Sequence, residues 1–207
     1  MENNFLTWIK RAQALSATGV HFAASDFDRE RYEELVQLTH QMLAYLSSMP
    51  LSAIDQTFSD VGEGYVTPKV DVRGAVIRDG HILLVREKFD GLWTMPGGYA
   101  DVGISPAANI AKEISEEANI TVRAERLFAV LHKARHDYSA DARDFYKLFF
   151  LCKQTDSREP SVGPETSDVG WYEPDKLPPL STGRTIAMNI HDAFQYLADS
   201  DRITRFD

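Results

Sequence analysis

Glu113, Glu116 and Glu117 fall within five residues near the end of one short amphipathic segment, PAANIAKEISEEANI. Ser105-Pro106 marks its start, because serine caps free N–H groups and proline suits the first helical position. At about 100° per residue, Ala107, Ile110, Ala111, Ile114 and Ala118 share one apolar stripe, and the glutamates occupy an arc about 100° wide on another side. Glu113 and Glu117 are like charges at i,i+4, which costs roughly 0.2–0.5 kcal/mol. The helix dipole disfavours anions in the last turns by roughly 0.3–1 kcal/mol each. Lys112 offsets only Glu116, and in the weaker orientation. A solvated acidic face is the plain alternative, but the local electrostatics run against it. A divalent cation reverses every one of these costs, and clustered carboxylate oxygens suit Mg²⁺ or Mn²⁺. Such an ion neutralises phosphate oxygens and activates water.

The preceding loop, Trp93-Thr94-Met95-Pro96-Gly97-Gly98, places two residues without side chains just ahead of this helix. Gly97 and Gly98 therefore let main-chain groups approach a metal or a phosphate closely. Arg73 and Arg86 lie on neighbouring strands of the hairpin that leads to the loop, and their planar forks suit phosphate oxygens. Ordinary exposed strand arginines fit the same pattern. His132, Lys133, Arg135 and His136 cluster at a strand end, either as contacts to a distal phosphate or as a solvated loop. Tyr99, Tyr138 and Phe145 are all candidates to stack a base. No paired Cys/His spacing suggests zinc.

These residues need elements to position them. VDVRGAVI and HILLVRE flank Asp79-Gly80, a hairpin turn signal. Further strands are expected at 126–133, 145–152 and 169–172, and a last helix from about Thr185 with Ile186, Ile190, Phe194 and Leu197 on one face. Residues 1 to about 60 read as helices. Phe5, Trp8, Ile9, Ala12 and Leu15 form one apolar face, and a longer helix follows Asp26. Its stripe of Tyr32, Leu35, Val36, Met42, Leu43 and Leu46 is widened by Leu38 and Tyr45 beyond what one packing surface needs. A short third helix follows Pro50. Gly62, Gly64 and Pro68 mark a linker over 59–69. The expectation is an α/β (α+β) chain: a helical domain over 1–62, then a mixed sheet held between helices over 66–207.

The 207 residues carry a net charge of −9, which weighs against broad binding to nucleic acid or anionic membranes. It leaves room for a small anionic substrate, since a metal can reverse the local sign. The single cysteine, Cys152, sits in an apolar run and reads as a buried strand thiol. The start, MENNFLTWIK, has no secretory pattern, and no apolar run approaches the roughly 18 residues of a membrane span. A cytoplasmic protein is the expectation.

Gly98 to Ile120 resembles the signature box of the Nudix hydrolases: glycine, five residues, Glu, seven residues, then Arg-Glu-apolar-x-Glu-Glu-x-Gly-apolar. The length is kept without insertion. Glu113, Glu116 and Glu117 stand at the metal-binding positions, and Ile114 and Ile120 at apolar ones. Ile104 replaces the first Glu, Lys112 the Arg and Asn119 the Gly, so the ion pair between the first two is lost. The helical start, and the stretches LHKARH, FYKLFFLC and ETSDVGWYEPDKLPPLSTGRT, are similar to a subgroup acting on nucleoside diphosphates linked to another moiety, X. That resemblance implies hydrolysis of the pyrophosphate bond in compounds of CDP-choline or ADP-ribose type, with release of a nucleoside monophosphate and X-phosphate. It implies a homodimer built through the N-terminal helices. It also implies a further carboxylate at Glu165, as general base or additional ligand, with Glu116 and Asp168 as alternatives. Two other readings stay open: a nucleotide-binding module with weakened catalysis, and a pyrophosphohydrolase or nuclease acting on RNA ends.

Overall fold

The computed structural model describes residues 4–59 and 64–207. Part of the expected linker, and the boundary at 62, lie outside the described residues. Contacts divide the chain into two compact units, the first reaching to Pro68 and including Ala140–Asp144, the second comprising Lys69–Ser139 and Phe145–Asp207.

In the first unit, α1 (Asn4–Phe22), α2 (Asp26–Ser47) and α3 (Leu51–Ser59) follow one another. Ser25 caps α2 by accepting the Asp28 N–H, as serine does at a helix start. Gly19 lets α1 and α2 approach so closely that a side chain there would overlap the Tyr32 ring. The unit's small core joins Ile9, Leu43 and Ile54, with Ala142 packed against it. The expected apolar face of α1 is corrected here: Ile9, Gln13 and Ser16 are buried, while Phe5, Trp8, Ala12 and Leu15 are exposed. Of the expected face only Ile9 enters the unit's core, where it meets Leu43 and Ile54. On α2, Thr39, His40 and Leu43 are buried, and Leu35, Leu38, Met42, Tyr45 and Leu46 remain exposed within one chain.

The second unit is a mixed sheet of β1 (Lys69–Arg78), β2 (His81–Glu87), β3 (Trp93–Thr94), β4 (Val122–His132), β5 (Phe145–Gln154), β6 (Thr166–Tyr172) and β7 (Arg205–Phe206). Strand order is β3-β2-β1-β5-β4-β7, with β6 paired to β2. The turn Asp79-Gly80 takes positive φ at both residues, as a tight hairpin requires. Strand alternation sends Val72, Val76, Leu83, Val85, Phe150 and Cys152 to one face, where helix α4 (Pro106–Ala118) buries Ile110, Ile114 and Ala118. Ala75, Ile82, Leu84, Phe149 and Leu151 face the other way, against α5 (Ala187–Ala198). On α5 the buried apolar residues are Ile190, Ala193 and Tyr196 rather than the expected line through Leu197, which is exposed. Cys152 is buried in β5. Among the described residues no helix is long and apolar enough to cross a membrane.

One irregularity prepares the site. β1 pairs with β2 only at Ile77 and Arg78, so the rest of that edge is open to another partner. The glycine loop takes it. Val72 N–H donates to Gly98 O and Gly74 N–H to Pro96 O, and Ala100 N–H donates back to Val70 O.

Candidate active site

Ser105 caps α4 by accepting the Ala108 N–H, and Pro106 opens it. Asn119 ends it in the left-handed conformation, with φ 55°. The last carbonyls are not left to solvent. Ser161 N–H donates to Ala118 O, Gly163 N–H and the Thr166 hydroxyl donate to Glu117 O, and the Asn119 amide donates to Ser161 O and Val162 O. A side chain at Gly163 would overlap the Glu116 carbonyl oxygen. The segment carrying exposed Glu165 is thus bound to the helix turn that carries Glu116 and Glu117.

The three glutamates occupy different surroundings. Glu117 is buried and its Oε2 accepts the Gly97 N–H at 2.8 Å. Burial pushes its carboxyl up to about 8, against the opposing effects of Arg73 and the Gly97 N–H. Glu113 is raised too, chiefly by burial, with Glu116 adding to it. Its Oε2 lies 2.6 Å from where a Cβ on Gly98 would stand, so a larger residue there would make the carboxylate shift. Glu116 is exposed and meets Lys112 at 3.0 Å. Lys112 also reaches Asp101 at 3.1 Å, and so ties loop to helix where Ile104 cannot.

Among the described residues no three His, Cys, Asp or Glu side chains already form a cation cage. The donor set nevertheless fits a hard divalent ion: three carboxylates on one arc, beside two glycines packed against their oxygens. Two of those acids carry raised pKa values that an ion would relieve. Convergence requires Glu116 to turn away from Lys112.

Arg73 is buried behind the loop. Its Nε donates to Asp71 Oδ1 at 2.8 Å and its Nη1 to Met95 O at 3.2 Å. Lys147, wholly buried on β5, donates to Asp71 Oδ2 at 2.8 Å. Burial alone would raise Asp71, but Arg73 and Lys147 outweigh it and hold the carboxyl low. Burial lowers the Lys147 ammonium to about 8. This ionic cluster escaped the sequence reading, although Asp71-x-Arg73 in an otherwise apolar strand is the signal that could have found it. Lys133 is buried, with its Nζ 4.9 Å from the Phe145 ring centre, and Phe145 stacks on Tyr99 beside Gly98. His132 stands next to it, its N–H donating to Asp207 Oδ2. Arg86 is exposed and its Nε donates to Gly91 O at 2.7 Å; among the described residues no hydrogen bond or ion pair ties it to the glutamates. Tyr138 donates to Asn189 Oδ1 at 2.9 Å. Asn109, one turn before Glu113, is wholly buried.

A mixed sheet between two helices, with a glycine loop laid on the end of a carboxylate-bearing helix, is the arrangement with which known proteins are compared. The profile of the NUDIX domain matches residues 68–192, and that of a "UDP-X-like, N-terminal oligomerisation domain" matches residues 3–58. The chain belongs to the NUDIX family and is a Nudix hydrolase. It is 42% identical over 204 residues to "Putative ADP-ribose pyrophosphatase YjhB" of Bacillus subtilis (strain 168), covering 97% of each chain. A crystal structure of a UDP-X diphosphatase is 33% identical, with TM-score 0.64 over 99% of this chain and 98% of that one. An ADP-ribose pyrophosphatase structure from Streptococcus suis 89-1591 is 38% identical, with TM-score 0.62 over 68% of this chain and all of that one.

Proposed function

We propose that this Nudix hydrolase cleaves the pyrophosphate bond of a nucleoside diphosphate linked to X, releasing a nucleoside monophosphate and X-phosphate. The observation that carries this reading is Glu117, an acid buried beside Gly97 at a cost that a bound cation removes. Glu113, Glu116 and Glu117, with the Gly97 main chain, would hold Mg²⁺ or Mn²⁺. The ion would neutralise phosphate oxygens and lower the pKa of the attacking water. The chain's own part is placement. Gly98 gives the Glu113 carboxylate room beside the loop, and Lys133, His132 and the Tyr99–Phe145 pair would form a basic and aromatic wall for X or the base. Arg73 is committed to Asp71, so its charge acts on Glu117 from behind the loop; Arg86 remains the arginine with an exposed fork. The relatives' names favour ADP-ribose or UDP-linked compounds over CDP-choline. Incubating all three with Mg²⁺ and Mn²⁺ and identifying the products tests the reading. Absence of any nucleoside monophosphate would overturn it.

Glu165 is the proposed base, on a segment fixed to the glutamate-bearing turn. Its exposed side chain contributes little to packing. Glu165→Gln should lower kcat by about 10²-fold or more with an unchanged melting temperature. Unchanged turnover would pass the role to Glu116 or Asp168.

The proposed homodimer forms through α2, whose exposed Leu38, Met42 and Tyr45 give an apolar flank that a second copy would cover. Light scattering should give a dimer for the wild type. Replacing Leu38 and Met42 together by Glu should give a monomer with its helix content kept.

A further inference from the structure

Asn109 is wholly buried on α4, yet neither its Nδ2 nor its Oδ1 has a hydrogen-bond partner. Among the described residues it is the one side-chain amide whose two ends are both buried and unpaired. Buried amides are nearly always satisfied, and leaving one empty-handed is costly. At about 100° per residue Asn109 falls inside the arc of the glutamates, between Glu113 and Glu116 in angle. It is one turn ahead of Glu113, a spacing that sets Cβ atoms about 5–6 Å apart. Helical side chains lean back toward the N-terminus, so the Glu113 side chain extends over the turn that carries Asn109. The same carboxylate lies against Gly98. An unpaired buried donor and a carboxylate held against the glycine loop are therefore neighbours on one turn of the helix.

We propose that Asn109 is a positioning residue for Glu113: its Nδ2–H donates to the Glu113 carboxylate when a divalent cation is bound, fixing which oxygen faces the ion. Carboxylates that hold metals are themselves held by outer hydrogen bonds, and an amide N–H is the donor this neighbourhood supplies. The inference rests on the cation reading above.

The test uses Mn²⁺ alone as the probe on the full chain, with free Mn²⁺ counted by electron paramagnetic resonance. Asn109→Leu removes both polar ends at similar size. It should melt no lower than the wild type without metal, yet bind Mn²⁺ about 10–100-fold more weakly. Asn109→Asp keeps the shape and an acceptor but loses the donor, so it should also bind more weakly. It carries the test if the leucine variant does not fold. Adding Asn109→Leu to Glu113→Gln should weaken binding no further. Wild-type affinity in Asn109→Leu, tighter binding in Asn109→Asp, or additive losses in the double variant would each overturn the role of Asn109. A wild type that binds no Mn²⁺ would instead overturn the cation reading, and the inference with it.

Discussion

Glu117→Gln should lose at least about a hundredfold in kcat/KM while the metal-free protein stays as stable as the wild type or gains. The glutamine oxygen can still accept the Gly97 N–H that Glu117 accepts at 2.8 Å. What disappears is a buried acid whose ionisation Arg73 and the Gly97 N–H favour less than burial opposes it. Its folded-state value of about 8 lies above the ordinary 4.5, so between these two values the folded chain keeps a proton that the unfolded chain has released. Metal-free stability should therefore be full below about pH 4.5 and fall as pH rises toward about 8, by at most about 1.4 kcal/mol per unit from this group. Melting curves across that range should slope downward for the wild type, and this contribution should be gone in Glu117→Gln. Mn²⁺ should raise the wild-type melting temperature more near neutrality than in mild acid, because the ion competes with that proton. Retained activity, or an identical slope in both proteins, would remove Glu117 from the site.

Gly97→Ala should be the most damaging single methyl in the molecule. At φ 140° the residue sits where side chains are strained, and a Cβ would overlap the Val72 carbonyl oxygen and crowd Arg73 Cα. Strain and overpacking of this kind each cost about 1–3 kcal/mol, so a loss of about 3 kcal/mol or more is expected in denaturant titration. Activity should fall with it, since the loop cannot hold both its pairing with β1 and the N–H aimed at Glu117. By contrast Gly80→Ala, in open space at the hairpin turn, meets backbone strain alone and should leave activity intact. Equal stabilities for the two variants would show that contact with β1 does not constrain the loop.

Much of this was legible in the sequence because the signals are local. Ser105, Pro106 and Asn119 bound α4 by capping chemistry alone, and Asp79-Gly80 specifies its own turn. The carboxylate arc follows from helical periodicity. Other features depend on partners far along the chain. Glu117 and Glu116 are neighbours, yet one is buried on Gly97 and the other exposed on Lys112, a difference set by a loop twenty residues away. The Asp71–Lys147 pair joins two parallel strands 76 positions apart. On α1 the buried line of Ile9, Gln13 and Ser16 shares only Ile9 with the expected apolar face, and packing partners along the chain set the rest. The short strand Arg205–Phe206 has no pattern of its own and forms only because β4 offers it an edge.

The loop from Pro96 to Ala100 fills the length of β1 that β2 leaves bare. Unguarded strand edges invite other chains to add to them, and this one is closed by the very segment that carries the proposed metal and phosphate contacts. Chain length there is therefore fixed: inserting or deleting a residue would put the Gly98 and Pro96 carbonyls out of step with Val72 and Gly74 and leave a sticky border. Divergence in this loop has side chains to work with and nothing else. Changes of substrate preference would have to come from outward positions such as Tyr99, or from segments that carry no share of the sheet.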